Sequence, residues 1–189
     1  MSQPDNQNDP SHGGPSQNND NQAHSIGKGM YFAAWILGLA LMTSLFSGVA
    51  ERKINPNQSP DARTVNGVTE VVLQQNRQGH YVTNGTINGK EVTFLLDTGA
   101  TDVAVPAHIA ELVNMRQGRA IQVMTANGIV TAYQSWIAEV GIDELIIQDV
   151  DANINPAMTD DFILLGMSAL KQLEFTQRGD TLILKHYNQ

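Results

Sequence analysis

From residue 67 onward a turn signal recurs roughly every ten residues, a cadence that suits short strands and leaves little room for long helices. Asn88-Gly89 is the strongest of these signals. Both residues tolerate positive φ, so they predict a hairpin between strands at 80–87 and 91–96. Residues 69–73 read as a β-type run joined to 80–87 through Asn76-Arg77-Gln78-Gly79. Asn127-Gly128 predicts a second hairpin between 120–126 and 129–138, and 145–154 and 162–165 read as further strands. Residues 174–177 and 181–186 pair across Arg178-Gly179-Asp180 to close the domain. Helix is confined to 106–114, which opens on a proline, and to a turn or two at 167–173. The pattern predicts a closed or sandwich-like, mostly β fold with one or two short helices.

Composition narrows the chemistry. The net charge is −8, and from Asn66 onward 14 Asp and Glu stand against 7 Lys and Arg. Phosphate backbones need clustered cations, so nucleic acid is not an expected partner. The absence of cysteine excludes thiolate catalysis and Cys-based zinc sites. His12, His24, His80, His108 and His186 lack metal-ligand spacing, and the sequence calls for no metal or cofactor.

The first 66 residues have a different character. Residues 1–29 are rich in Asn, Gln, Asp, Ser, Gly and Pro, with Ile26 as their one large aliphatic side chain, and are expected to be disordered. Residues 30–50, MYFAAWILGLALMTSLFSGVA, carry no charge and match the length of a transmembrane helix, with Tyr31 and Trp35 towards one end. A cleaved signal peptide competes, since Gly48 and Ala50 are small. The 29-residue leader and the long apolar run favour an uncleaved anchor in contact with membrane lipid. Lys28 precedes the run, whereas Arg52, Lys53 and Arg63 follow it, so the charge rule alone would leave the carboxy-terminal part in the cytoplasm. Residues 51–66 hold two prolines without apolar periodicity and read as a linker, with the domain at 67–189.

The chemically informative stretch is Phe94-Leu95-Leu96-Asp97-Thr98-Gly99-Ala100-Thr101. An acid directly after three apolar residues is costly at a strand end unless its charge is compensated, and Gly99 permits a tight loop around it. Two such carboxylates about 3 Å apart share one proton, so one can activate water while the other protonates. A lone Asp-Thr-Gly also occurs in ordinary turns, where Asp caps a backbone N–H.

Three motifs in order remove most of that ambiguity. They are Asp97-Thr98-Gly99, the hairpin Thr125-Ala126-Asn127-Gly128, and Ile163-Leu164-Leu165-Gly166-Met167. Together they resemble the retropepsin-like aspartic peptidases over about 120 residues, and most of all the bacterial single-pass membrane branch of that clan. The resemblance implies a closed acid-protease half-barrel following a disordered tail and one transmembrane helix. Asp97 is then the dyad carboxyl, with Thr98, Gly99, Ala100 and Thr101 in the active-site loop. The Thr98 hydroxyl is expected to bond across a two-fold axis, and Gly99 backbone to border the bound peptide. Ala126, Asn127 and Gly128 become the tip of a substrate-covering flap, although an ordinary exposed hairpin would read the same. Leu165 and Gly166 are structural elements beneath the loop. Asp102, Asp160 and Asp161 read as solvated charges, with Asp102 near enough to touch substrate.

The motif occurs once, since Asp180-Thr181 is followed by Leu182. The second aspartate is therefore expected from another copy, in a C₂ homodimer acting on a peptide or protein substrate. The resemblance further implies a bacterial inner membrane with the domain in the periplasm, against the charge rule. Two rival readings are a peptide-gripping or dimerising module without catalysis, and a tethered β-domain in which Asp97 is incidental. A serine hydrolase has no support, because Ser168 lies outside a GxSxG context.

Overall fold

A computed structural model describes residues 20–126 and 128–187, without the side chains of 20–28 and 45–52. The chain divides into two units, Met1–Phe46 and Ser47–Gln189. The described part of the first belongs to helix α1 (Asp20–Ile54), whose large apolar side chains from Met30 to Met42 are exposed. Among the described residues no helix is long and apolar enough to cross a membrane. The side chains of residues 45–50, the last part of the apolar run, lie outside those described. Helix α1 begins at Asp20, inside the stretch 1–29 expected to be disordered, and residues 1–19 lie outside those described.

The second unit carries eleven strands and the helices α2 (Ala107–Leu112) and α3 (Met167–Leu170). The first strands are β1 (Ala62–Val65), β2 (Val68–Gln74), β3 (Val82–Ile87), β4 (Lys90–Leu96) and β5 (Val103–Pro106). After α2 come β6 (Ala120–Thr125), β7 (Gly128–Ile142), β8 (Leu145–Asn155) and β9 (Phe162–Leu165). β10 (Glu174–Arg178) and β11 (Thr181–Tyr187) follow α3. One sheet runs β1-β2-β11-β10 and the other β3-β4-β9-β5-β8-β7-β6. An additional β3–β7 pairing closes six strands of the larger sheet into a ring and leaves β6 appended to β7.

Two glycines make that closure physically possible. A Cβ on Gly85 would stand 2.3 Å from Gly141 O, and one on Gly141 would stand 2.6 Å from Thr86 Oγ1. Glycine within a strand marks close approach of another backbone, and β7 accordingly runs on past its expected end to meet β3. The ring encloses Phe94, Ile87, Val103, Val105, Ile137, Ile147, Ile163 and Leu165, all fully buried. Burial of each such side chain stabilises by about 1.5–3 kcal/mol.

Residues 51–66 are not a free linker. Asn55 and Asn57 are buried, and Asn57 Nδ2 donates to Gln74 O at 2.9 Å and Val82 O at 2.7 Å while its Oδ1 accepts from Gln74 N at 2.7 Å. An amide side chain thus ties this segment to β2 and β3 at once. Asn66 and Gly67, both at positive φ, turn β1 into β2 by the same chemistry as Asn88-Gly89. The turn at Asn76–Gly79 forms, with Gly79 N donating to Asn76 O at 3.1 Å. Beyond the single bridge Gln75↔Tyr81 the two strands part into different sheets.

Candidate active site

Alternation fixes which way Asp97 points. Phe94 and Leu96 pack into the core, so Leu95 and the residue two beyond it belong to the opposite face. The ladder continues one step past β4, since Asp97 N donates to Leu165 O at 3.2 Å. Asp97 therefore sits partly exposed at the end of the off-core face, at the rim of the ring.

The loop after it is held from several sides. Gly99 N donates to Asp97 Oδ1 at 2.8 Å, and Ala100 N to Asp97 O at 3.2 Å. From the α3 side, Met167 N reaches Ala100 O and Ser168 N reaches Thr101 O, both at 2.8 Å. Gly166 lies directly beneath, and a Cβ there would stand 2.2 Å from Asp102 O and 2.8 Å from Ala100 O. Only glycine lets the β9–α3 corner pass this close to the loop. The structure thus brings Asp97, Thr98, Gly99, Ala100, Thr101, Leu165 and Gly166 together in one constellation. Thr98 and Thr101 are exposed, while Leu165 and Gly166 are buried.

Ser168 belongs to the same constellation and was not legible as such in the sequence. Its buried hydroxyl donates to Asp151 O at 2.6 Å and accepts from Val103 N at 3.0 Å. One side chain thereby joins α3, β8 and the start of β5 behind the loop. The signal was its place two residues after Gly166 at a helix start, which reads as a solvent-facing serine unless the neighbouring strands are known.

The hairpin β6–β7 stands apart from this cluster. Met124 pairs with Ile129 and Thr125 with Gly128, whose φ is 112°. Thr125 Oγ1 donates to Gly128 O at 2.8 Å. Ala126 and Gly128 are exposed, and Asn127 lies outside the described residues. Among the described residues no group of three His, Cys, Asp or Glu is placed to hold a metal ion.

Residues 83–172, which hold the loop, the hairpin and the Gly166 corner, match the model of the family described as "gag-polyprotein putative aspartyl protease". An uncharacterized protein in the cobV 5′ region of Sinorhizobium sp. is 30% identical over 176 residues, covering 86% of this chain and 76% of the relative. The chain belongs to the retropepsin-like aspartic protease family. A second relative, an uncharacterized protein of Rickettsia prowazekii (strain Madrid E), is 28% identical over 128 residues, or 63% of this chain and 52% of that protein. The retropepsin fold itself is shared with the crystal structure of a retropepsin-like aspartic protease from Rickettsia conorii. That match has a TM-score of 0.51 at 24% identity, over 68% of this chain and 95% of the other.

Within the retropepsin-like frame, each of the three motifs read in the sequence acquires a place. The acidic loop ends β4, the Gly166 corner packs beneath it, and the arms of the remaining hairpin are β7, a strand of the ring, and β6, appended to it.

Proposed function

We propose that this protein is an aspartic endopeptidase whose active site forms from two Asp97 side chains, one from each copy in a homodimer. One observation carries the reading. Asp97 is held at the rim of the ring by its own loop, with Oδ1 engaged by Gly99 N, while its motif occurs once in the chain. Peptide hydrolysis by carboxylates needs one group to take a proton from water and one to give a proton. In the proposed reaction the ionised Asp97 removes a water proton as the oxygen attacks the peptide carbon. The protonated Asp97 of the second copy gives its proton to the carbonyl oxygen. Proton transfer to the nitrogen then accompanies cleavage of the C–N bond. The exposed Thr98 is available to bond across the two-fold axis, and Ala126, Asn127 and Gly128 would cover an extended substrate bound by strand-like hydrogen bonds.

Attachment to a bacterial inner membrane through residues 30–50, with the domain in the periplasm, completes the proposal. It rests on the charge-free run and on the exposed apolar side chains of α1. Tethering would raise the local concentration of the two copies.

The test is incubation of the full chain with a diverse peptide mixture, read by mass spectrometry. New termini are expected with the wild type, and a loss of about 10²–10⁴-fold or more with Asp97→Asn at unchanged circular dichroism. Equal hydrolysis by both would overturn the assignment. Carboxy-terminal reporters active on only one side of the membrane test the topology, and a cytoplasmic signal would reverse it.

A further inference from the structure

Pairing across the ring places a single row of side chains on the same face as Asp97. Leu95 pairs with Leu164, Leu164 with Ala104, and Ala104 with Asn153. The odd-and-even logic holds on every strand, because Phe94, Ile163, Val103, Val105, Ala152 and Ile154 all point into the core. Three strand spacings separate Leu95 from Asn153, about 14 Å, which an extended peptide covers in about four residues.

The same face continues onto the hairpin. Asn153 pairs with Gln134 on β7, and Ala132 and Val130 follow on that side, paired with Ile121 and Val123 of β6. Ile121, Val123 and Val130 are half-buried, whereas Gln122, Met124 and Ile129 on the other side are exposed. Asn153 therefore stands where the apolar floor beside Asp97 meets the inner side of the hairpin.

Its amide is out of keeping with that lining. Asn153 is only 3% exposed, and its Oδ1 is buried without a hydrogen-bond partner. The neighbouring amide, Gln134, already has its oxygen engaged by Arg119 Nε at 2.9 Å. Buried acceptors are paired in most native structures, and leaving one open is costly. Where the sequence could have kept a leucine, as at 95 and 164, it holds an acceptor with nothing to accept from.

We propose that Asn153 is a specificity-determining residue: its open amide oxygen selects a substrate side chain carrying a neutral N–H or O–H donor (Asn, Gln, Ser or Thr) within about four residues of the cleaved bond. The inference rests on the peptidase reading above for the direction of the cleft. A donor side chain laid along Leu164 and Ala104 would meet Asn153 next in the same row. An aliphatic side chain of the same size leaves the oxygen unpaired. A site built for a hydrogen bond discriminates more sharply against a ligand lacking it than an apolar pocket discriminates by size.

The experiment profiles side-chain preference with a peptide library in two ways, by cleavage with the full-length wild type and by binding to full-length Asp97→Asn. Asn153→Leu, close in shape and without an acceptor, and Asn153→Asp, which keeps one, are introduced into both. One position is expected to prefer donors by about tenfold or more over aliphatic residues of equal size. Asn153→Leu should invert that preference, and Asn153→Asp should keep donors and add a preference for Lys or Arg. Cleavage with a profile unchanged by Asn153→Leu overturns the inference and leaves the peptidase reading standing. Binding with an Asn153-dependent preference but no cleavage by wild type does the reverse. Absence of both binding and cleavage overturns the two together. A folded Asn153→Leu protein that loses rate equally on all peptides assigns Asn153 a structural role and also overturns the inference.

Discussion

The loop after β4 and the β6–β7 hairpin are both glycine turns at the ends of strands, yet they are built on opposite principles. The loop at 97–102 is pinned from outside itself, by Leu165 O, Met167 N and Ser168 N, with Gly166 pressed against its carbonyls. In the hairpin, β6 and β7 pair with each other, Thr125 Oγ1 donates to Gly128 O, and Met124 and Ile129 are 82% and 67% exposed. In the proposed dimer, a carboxylate that meets another within hydrogen-bonding distance would need a loop that cannot drift. In the same proposed reading, a cover that admits an extended peptide would need to be loosely held. The difference teaches that the two turns are unequally supported, the one by neighbouring elements and the other by its own strands.

Gly166→Ala should break the pinned side most severely. The added methyl overlaps backbone atoms of Asp102 and Ala100 rather than a movable side chain, so a loss of about 3 kcal/mol or more is expected, measured by urea unfolding. Ser168→Ala removes the shared partner of Val103 N and Asp151 O, and about 2 kcal/mol should go with it.

Tyr81 offers a change of opposite sign beside the strand that leads into the same loop. Its carbonyl accepts from Leu96 N at 3.0 Å, and its hydroxyl is buried without a partner. Tyr81→Phe removes that unpaired group and should stabilise by up to about 1 kcal/mol. Burial first, and then the charge of Asp180, hold the Tyr81 hydroxyl above its ordinary value of 10.0. A raised folded-state pKa gives stability that is present below pH 10 and lost as pH climbs through the folded value. The Phe variant should therefore show a shallower alkaline loss in thermal melts above that pH.

On the unpinned side, Met124→Ser and Ile129→Thr should shift stability by no more than about 0.5 kcal/mol each, because both side chains are exposed. Their effect should fall on cleavage rate instead. A stability loss as large as that of Ser168→Ala would mean the hairpin is packed after all, and the contrast would fail.

Legibility in the sequence followed the same divide between local and long-range causes. Asn88-Gly89 specified its hairpin because a type I′ turn is fixed by the two residues themselves. The acidic loop stood out because a carboxylate after Phe94-Leu95-Leu96 is chemically unusual wherever it occurs. The segment at 55–65 was misread because its polar, proline-containing composition is that of a linker. What fixes it in place is Asn57 bonding to β2 and β3, some 17 and 25 residues away. β5 went unread because four residues ending at Pro106 carry too short a pattern, and the ring itself supplies its neighbours. Ser168 and Asn153 were invisible for a related reason. A buried polar side chain declares itself only once the backbone groups around it, or their absence, are known.

The central claim is that one active site takes an Asp97 from each of two copies. Full-length wild type is mixed with rising excess of Asp97→Asn under exchange conditions, with mass by sedimentation and cleavage rate read on the same samples. The account predicts a dimeric mass and a rate per wild-type subunit that falls in proportion to the wild-type fraction, since mixed dimers hold one carboxamide. A rate per wild-type subunit that stays constant across the series, or full activity in a species with the mass of one chain, would contradict it.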